Sequence, residues 1–212
     1  MSFNRTLAIA MVSLALGACG LMPQRAPTTA GPGGQPAATS LPASEPVPAQ
    51  ARTEFARALT AMRAGRDAEA AQRLQALAAA YPDLGGIQAN LGLIHARAGR
   101  SKDAEQAFTA AVRISPEQPA YYNLLGVFQR EQGEFVKARK AYEQALSHDP
   151  AYGSAHLNLA ILYDIYLWEP DKAMIHYEQY RQLVPESSPQ VTKWLADIKV
   201  RQKAERVAKG NN

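Results

Sequence analysis

The sequence has a single cysteine, Cys19, so no disulfide can form within one chain. It has no run of 18 apolar residues, which excludes a helix that spans a bilayer. Charge of one sign is also scarce, with a net of only +4. Six of the basic residues (Lys193, Lys199, Arg201, Lys203, Arg206 and Lys209) lie at the C-terminus against only Asp197 and Glu205. The rest of the chain is therefore close to neutral. A nucleic-acid interface needs basic charge spread over the folded surface with aromatics interleaved, and that pattern is missing. Paired carboxylates, a nucleophile elbow, a phosphate-binding glycine loop and a zinc signature are missing as well, so the sequence predicts no catalytic residue, no metal site, no cofactor and no small-molecule substrate. The four histidines (His95, His148, His156 and His176) have no metal-ligand spacing and are expected in the core or on helix faces.

The first fifty residues are of three kinds. Arg5 precedes an apolar run of ten residues, Leu7 to Leu16. That length suits an export signal and is too short for a span. Residues 20–50 hold seven of the fourteen prolines, together with Gly31, Gly33 and Gly34. Such a composition cannot bury enough apolar surface to offset its ordering entropy, which predicts a disordered tether averaging roughly 30 Å end to end. Between them stands Leu16-Gly17-Ala18-Cys19. This resembles the bacterial lipobox, and the resemblance implies a signal peptide over 1–18, diacylglycerol on the Cys19 thiol, cleavage before it and acylation of the new terminus. The same resemblance implies that Gly20, where an aspartate would signal inner-membrane retention, favours the outer membrane of a Gram-negative host, with the folded part facing the periplasm.

From residue 51 the chain repeats. Gly65, Gly99 and Gly133 are 34 residues apart, as are Ala70, Ala104 and Ala138; Leu74, Phe108 and Tyr142; and Pro82, Pro116 and Pro150. Each column has a physical reason. The glycines suit a left-handed helix cap, the alanines let two helices cross closely, the large side chains fill the space between units, and proline ends the second helix. The third copy, with Tyr122, Leu125, Gly126, Gly133, Ala138, Tyr142, Ala145 and Pro150, resembles the tetratricopeptide repeat, a helix–turn–helix of 34 residues. The second matches through Leu91, Gly92, Gly99, Ala104, Phe108, Ala111 and Pro116. The first has Ala58 where glycine is usual and Arg57 where leucine is. The fourth, with Leu159, Ala160, Tyr163, Ala173, Tyr177 and Pro185, puts Leu167 in the glycine column and carries one extra residue between its helices.

The expected architecture is all-α: a solenoid of four units over 51–84, 85–118, 119–152 and 153–187, followed by a capping helix and basic tail over 188–212. Ser188 is the expected cap of that last helix and Pro189 its first turn. Val191, Trp194, Leu195 and Ile198 recur at i, i+3, i+4 and i+7, giving the face that would shield the last unit from water.

The resemblance further implies a concave face lined by the first helix of each unit. Counted onto this sequence, its positions include Phe55, Leu59, Arg63, Asn90, Leu93, Arg97, Asn123, Val127, Arg130, Asn158, Ile161 and Asp164. Amides can pair with a peptide backbone and arginines with carboxylates, so the expected partner is an extended or helical segment of another protein. Asn90 and Asn158 share a column and Asn123 is displaced by one. The lysines of the family's carboxylate clamp are absent, so no clamp is expected. Trp168, beside Tyr163 and Tyr166, is either an interface hot spot or, more in keeping with such rings, a packing residue against the capping helix near Trp194. Together the two resemblances imply a lipid-anchored envelope scaffold for a pilus, secretion or other envelope complex. The alternative is a regulator or enzyme of cell-wall metabolism, for which Asp164 and Glu131 are the acids near the groove. A third reading makes the basic tail a contact to anionic lipid or cell wall.

Overall fold

The computed structural model describes residues 47–210. The export signal, Cys19 and most of the tether lie outside the described residues, as does the side chain of Ser188. Four helical hairpins follow one another: α1 (Ala49–Arg63) with α2 (Asp67–Ala80), α3 (Gly85–Arg97) with α4 (Ser101–Ile114), α5 (Pro119–Glu131) with α6 (Phe135–His148), and α7 (Gly153–Ile161) with α8 (Pro170–Leu183). A short 3-10 turn, Pro185–Ser187, leads into α9 (Ser188–Gly210). The second helix of each hairpin packs on the first helix of the next, and α3, α5 and α7 also touch in succession. This is the all-α solenoid read from the sequence, and α9 begins at Ser188, the residue expected to cap it.

The repeat columns do the work assigned to them. Gly65, Gly99 and Gly133 have φ of +71°, +70° and +78°. In each case two backbone hydrogen bonds close the turn: Arg66 N–H to Ala61 O at 2.9 Å, Arg100 to His95 at 3.0 Å and Glu134 to Gln129 at 2.8 Å form the longer ring, with the glycine N–H bonded inside it. That pairing satisfies the last carbonyls of the first helix and reverses the chain. A Cβ at any of the three would meet nothing within 4 Å, so glycine is required there by φ alone.

Gly92 and Gly126 answer a different demand. A Cβ on Gly92 would come within 2.7 Å of the Phe108 ring, and one on Gly126 within 2.6 Å of the Tyr142 ring. Both rings are almost wholly buried. In the first unit the ring position holds the smaller Leu74, and Ala58 takes the place of glycine with both residues fully buried. The departure noted in the first repeat is thus a matched pair of size changes. Ala160 with Tyr177 in the fourth unit breaks this rule.

The fourth unit absorbs its extra residue as a π-helical turn, Leu162–Tyr166, at the end of α7. Leu167 N–H bonds to Leu162 O at 3.0 Å, one residue further back than in an α-helix, and Glu169 N–H bonds to Tyr163 O at 2.9 Å. The glycine column counted at period 34 falls on Leu167, but the left-handed position moves on to Trp168, φ +56°. Among the described residues Trp168 is the one non-glycine with positive φ. For a bulky L-residue that conformation is a true outlier.

Val191, Leu195 and Ile198 are buried, so α9 covers the last hairpin with the face expected of it. Trp194 packs on Tyr177 with ring centroids 5.4 Å apart. Trp168 does not join them: it is 75% exposed, which overturns the expectation that it packs against the capping helix.

Candidate protein-binding face

The first helices of the four units, α1, α3, α5 and α7, carry the residues counted onto the concave face. Phe55, Leu59, Leu93 and Val127 are buried within the apolar clusters of the stack. Asn90 is fully buried, and its Nδ2 donates to Gly86 O at 2.7 Å. Asn123 and Asn158 are buried too, and Asn158 Nδ2 donates to Asn123 Oδ1 at 2.8 Å. The displaced asparagine is therefore the partner of Asn158, and the bond ties α5 to α7. Losing either end would leave a buried amide unsatisfied, at a cost of about 1–3 kcal/mol.

The charged members divide by what they touch. Arg97 reaches back to the preceding unit, 3.2 Å from the Asp67 carboxylate and 3.5 Å from Met62 O. It locks α3 to the start of α2. Asp164, in the π turn, accepts from Arg201 of α9 at 2.6 Å, and Arg201 also reaches Asp197 at 3.0 Å. Burial, with the adjacent Asp164 carboxylate, raises the Tyr177 hydroxyl above its usual range. The C-terminal end of the face is thus closed by α9, and Gln202 adds a bond to Asp171 at 2.7 Å. Arg63 is exposed at the end of α1, while Arg130 is half-buried near the end of α5, and neither has an ion pair among the described residues. Ile161 is half-buried. Glu131 is exposed as a residue, although local desolvation raises its carboxyl.

Two features of the last hairpin were not expected. His156 Nδ1 and His176 Nδ1 are 3.0 Å apart, and His156 Nε2 lies 3.0 Å from Pro150 O. The carbonyl can only accept, so His156 Nε2–H donates to it, and His156 Nδ1 is then the acceptor of a hydrogen bond from His176 Nδ1–H. The His176 ring stacks on Tyr163 at 5.8 Å, and Lys172 sits 5.3 Å over the Tyr163 ring. Burial, reinforced by His156, lowers the His176 pKa from 6.5 to about 4. The two histidines are 20 positions apart and share no motif, so only the hairpin brings them together. The second feature is apolar: Tyr166 packs on Phe135 at 4.9 Å, and around that pair Val136, Ile165 and Trp168 are all exposed. Among the described residues no group of three or more His, Cys, Asp or Glu could hold a metal, and no helix is long and apolar enough to cross a membrane.

Family models of the tetratricopeptide repeat match residues 55–119 and 119–152. A comparison with curated protein sequences finds no match. Solved structures with the same fold include Pseudomonas aeruginosa PilF, with TM-score 0.66 and 18% identity over 76% of this chain and 72% of that one. The type III secretion translocator chaperone SycD of Yersinia enterocolitica gives TM-score 0.50 and 19% identity over 55% and 83%. An O-GlcNAc transferase of Thermobaculum terrenum gives 0.58 and 22% over 63% of this chain, which spans only 26% of the transferase. Likeness at these identities is likeness of fold.

Proposed function

The chain is a tetratricopeptide-repeat protein, and from that premise we infer that it is an adaptor, tethered to a bacterial envelope membrane, that holds a segment of another protein on its concave face. The observation that carries the reading is the order of parts in one chain: Leu16-Gly17-Ala18-Cys19, a proline-rich stretch, then stacked helical hairpins. Two or three acyl chains on Cys19, at about 0.8 kcal/mol per buried methylene, would make the anchoring effectively permanent. The stack itself supplies a shaped surface with little to reorganise on binding. We place the protein on the periplasmic side of the outer membrane, in the assembly of a pilus or a secretion complex. Support for that last step is the likeness to PilF and to a secretion chaperone, together with the lipobox.

Arg130 is the residue on which to test the groove, because it lies on α5 without an ion pair among the described residues. Arg97 is less suitable, since reversing its charge would also break its contacts to Asp67 and Met62. Crosslinking in cells followed by capture should recover a protein partner with the parent chain, and Arg130→Glu should reduce that recovery at least tenfold. Undiminished recovery from a correctly folded Arg130→Glu variant refutes the groove. The cell-wall enzyme alternative rested on Asp164 and Glu131: Asp164 is engaged by Arg201, whereas Glu131, whose carboxyl is raised by desolvation, has no ion pair among the described residues. Incubation with peptidoglycan remains its direct test.

A further inference from the structure

The outer side of α9 combines free cations with aliphatic side chains in a way that nothing in the repeat stack needs. At about 100° per residue, Lys193, Val200 and Val207 fall on the side of this helix opposite the buried Val191, Leu195 and Ile198, with Lys203 and then Lys199 along one flank. All five are exposed, Val200 by 67% and Val207 by 55%. The two acidic residues of α9 are already engaged: Asp197 with Arg201 at 3.0 Å and Glu205 with Lys209 at 2.6 Å. Lys193, Lys199 and Lys203 have no ion pair among the described residues. The side facing away from the stack therefore carries lysines without ion pairs and two valines between them, while its one acid, the exposed Asp197, is taken up by Arg201.

We propose that this side of α9 lies against an anionic phospholipid surface, through Lys193, Lys199 and Lys203 with Val200 and Val207 entering the headgroup region. Three points favour a lipid surface over an acidic peptide. Lysines are point charges on flexible stems, without the planar fork that reads one carboxylate in one geometry. They are spread over about 15 Å of helix with no cleft between them, so no single chain is cradled. A lipid headgroup layer needs no register, and it accepts aliphatic side chains between charges, with lysine stems lying along the apolar boundary. Charge complementarity selects anionic over zwitterionic lipid. The contact is too weak to hold the protein alone, which is why it rests on the tethering read above: the lipid at Cys19 would keep α9 near the membrane, and α9 would fix which way the repeat stack faces.

The test uses the full chain, lipidated at Cys19 and reconstituted into vesicles. Because the Cys19 thiol is consumed by the lipid, Val207→Cys gives one site for an environment-sensitive dye. On phosphatidylcholine vesicles containing phosphatidylglycerol the dye emission should shift to the blue and return to its aqueous value in 1 M salt, where screening is nearly complete. On pure phosphatidylcholine it should stay aqueous, and a dye at Val136→Cys on α6 should stay aqueous on both. Changing Lys193, Lys199 and Lys203 together to Gln should lower the docked-to-free ratio by on the order of a hundredfold. All three are exposed, so an unchanged melting curve shows that the variant still folds. If the protein floats with anionic vesicles and the Val207 dye remains aqueous, the inference is wrong. It is also wrong if the dye answers soluble polyglutamate but not vesicles, which would assign the face to an acidic protein. Failure to float with neutral vesicles would instead count against the tether, and the dye response to anionic vesicles would still decide the role of α9.

Discussion

Replacing Trp168 separates three quantities that a single variant would confuse. The residue holds φ +56° and is 75% exposed. A left-handed conformation costs an L-residue about 1–2 kcal/mol. Glycine escapes that cost but adds about 0.5–1 kcal/mol of chain entropy lost on folding. Trp168→Gly should therefore be more stable than Trp168→Ala by about 0.5–1 kcal/mol, which is about 1–4 °C in melting temperature for a domain of this size. The parent tryptophan keeps only about a quarter of its surface from water, roughly 40–60 Å², so its packing is worth at most about 1–1.5 kcal/mol. Trp168→Ala should lose no more than that. Circular dichroism melts of the three proteins read these differences directly. If alanine at 168 proves more stable than glycine, the left-handed turn is wrong. A loss above about 3 kcal/mol in both variants would mean the ring is packed, contrary to its exposure. With a partner in hand, both variants should weaken binding by about 2 kcal/mol or more if the exposed ring is an interface hot spot.

Asn158→Ala should destabilise the stack by about 1–3 kcal/mol by orphaning Asn123 Oδ1, and the Asn123→Ala/Asn158→Ala pair should cost less than the two single losses added, measured by urea denaturation. Gly126→Ala sets a Cβ 2.6 Å from the Tyr142 ring and should cost about 1–3 kcal/mol in the same assay, while Ala58→Gly in the first unit should cost only about 1 kcal/mol. His176 takes a proton at 6.5 when unfolded and only near 4 when folded, so its contribution is whole above pH 6.5 and is lost as pH falls towards 4. The expected loss is on the order of 2–3 kcal/mol, and His176→Asn should flatten the dependence of melting temperature on pH in that window. Ile198→Ala should cost about 2–4 kcal/mol and raise amide exchange first in α8 and α9, as expected of a stack whose units lean only on their neighbours.

The hairpins were legible in the sequence because each repeat column answers a local demand. Gly99 and Pro116 mark ends of helices, and Ala104 and Phe108 record how closely helices pack. The extra residue in the fourth unit was legible as an irregularity, but counting at a fixed period put its turn at Leu167. Only the backbone hydrogen bonds show that a π turn moves it to Trp168. The face was legible in composition and not in pairing. Asn123 and Asn158 meet 35 residues apart, Asp164 and Arg201 meet 37 apart, and His156 and His176 meet through a hairpin. No local pattern encodes such contacts: the first two depend on how one element of the stack is set against the next, and the third on how the two helices of one hairpin cross.

The intact mass of the protein extracted from the membranes of its own host bears most directly on the account. A chain that begins at Cys19 and carries a diacylglyceryl group and an amide-linked acyl chain is the predicted result, with Cys19→Ser abolishing both the processing and the lipid. A soluble protein that keeps residues 1–18, or that bears Cys19 as a free thiol, would contradict it.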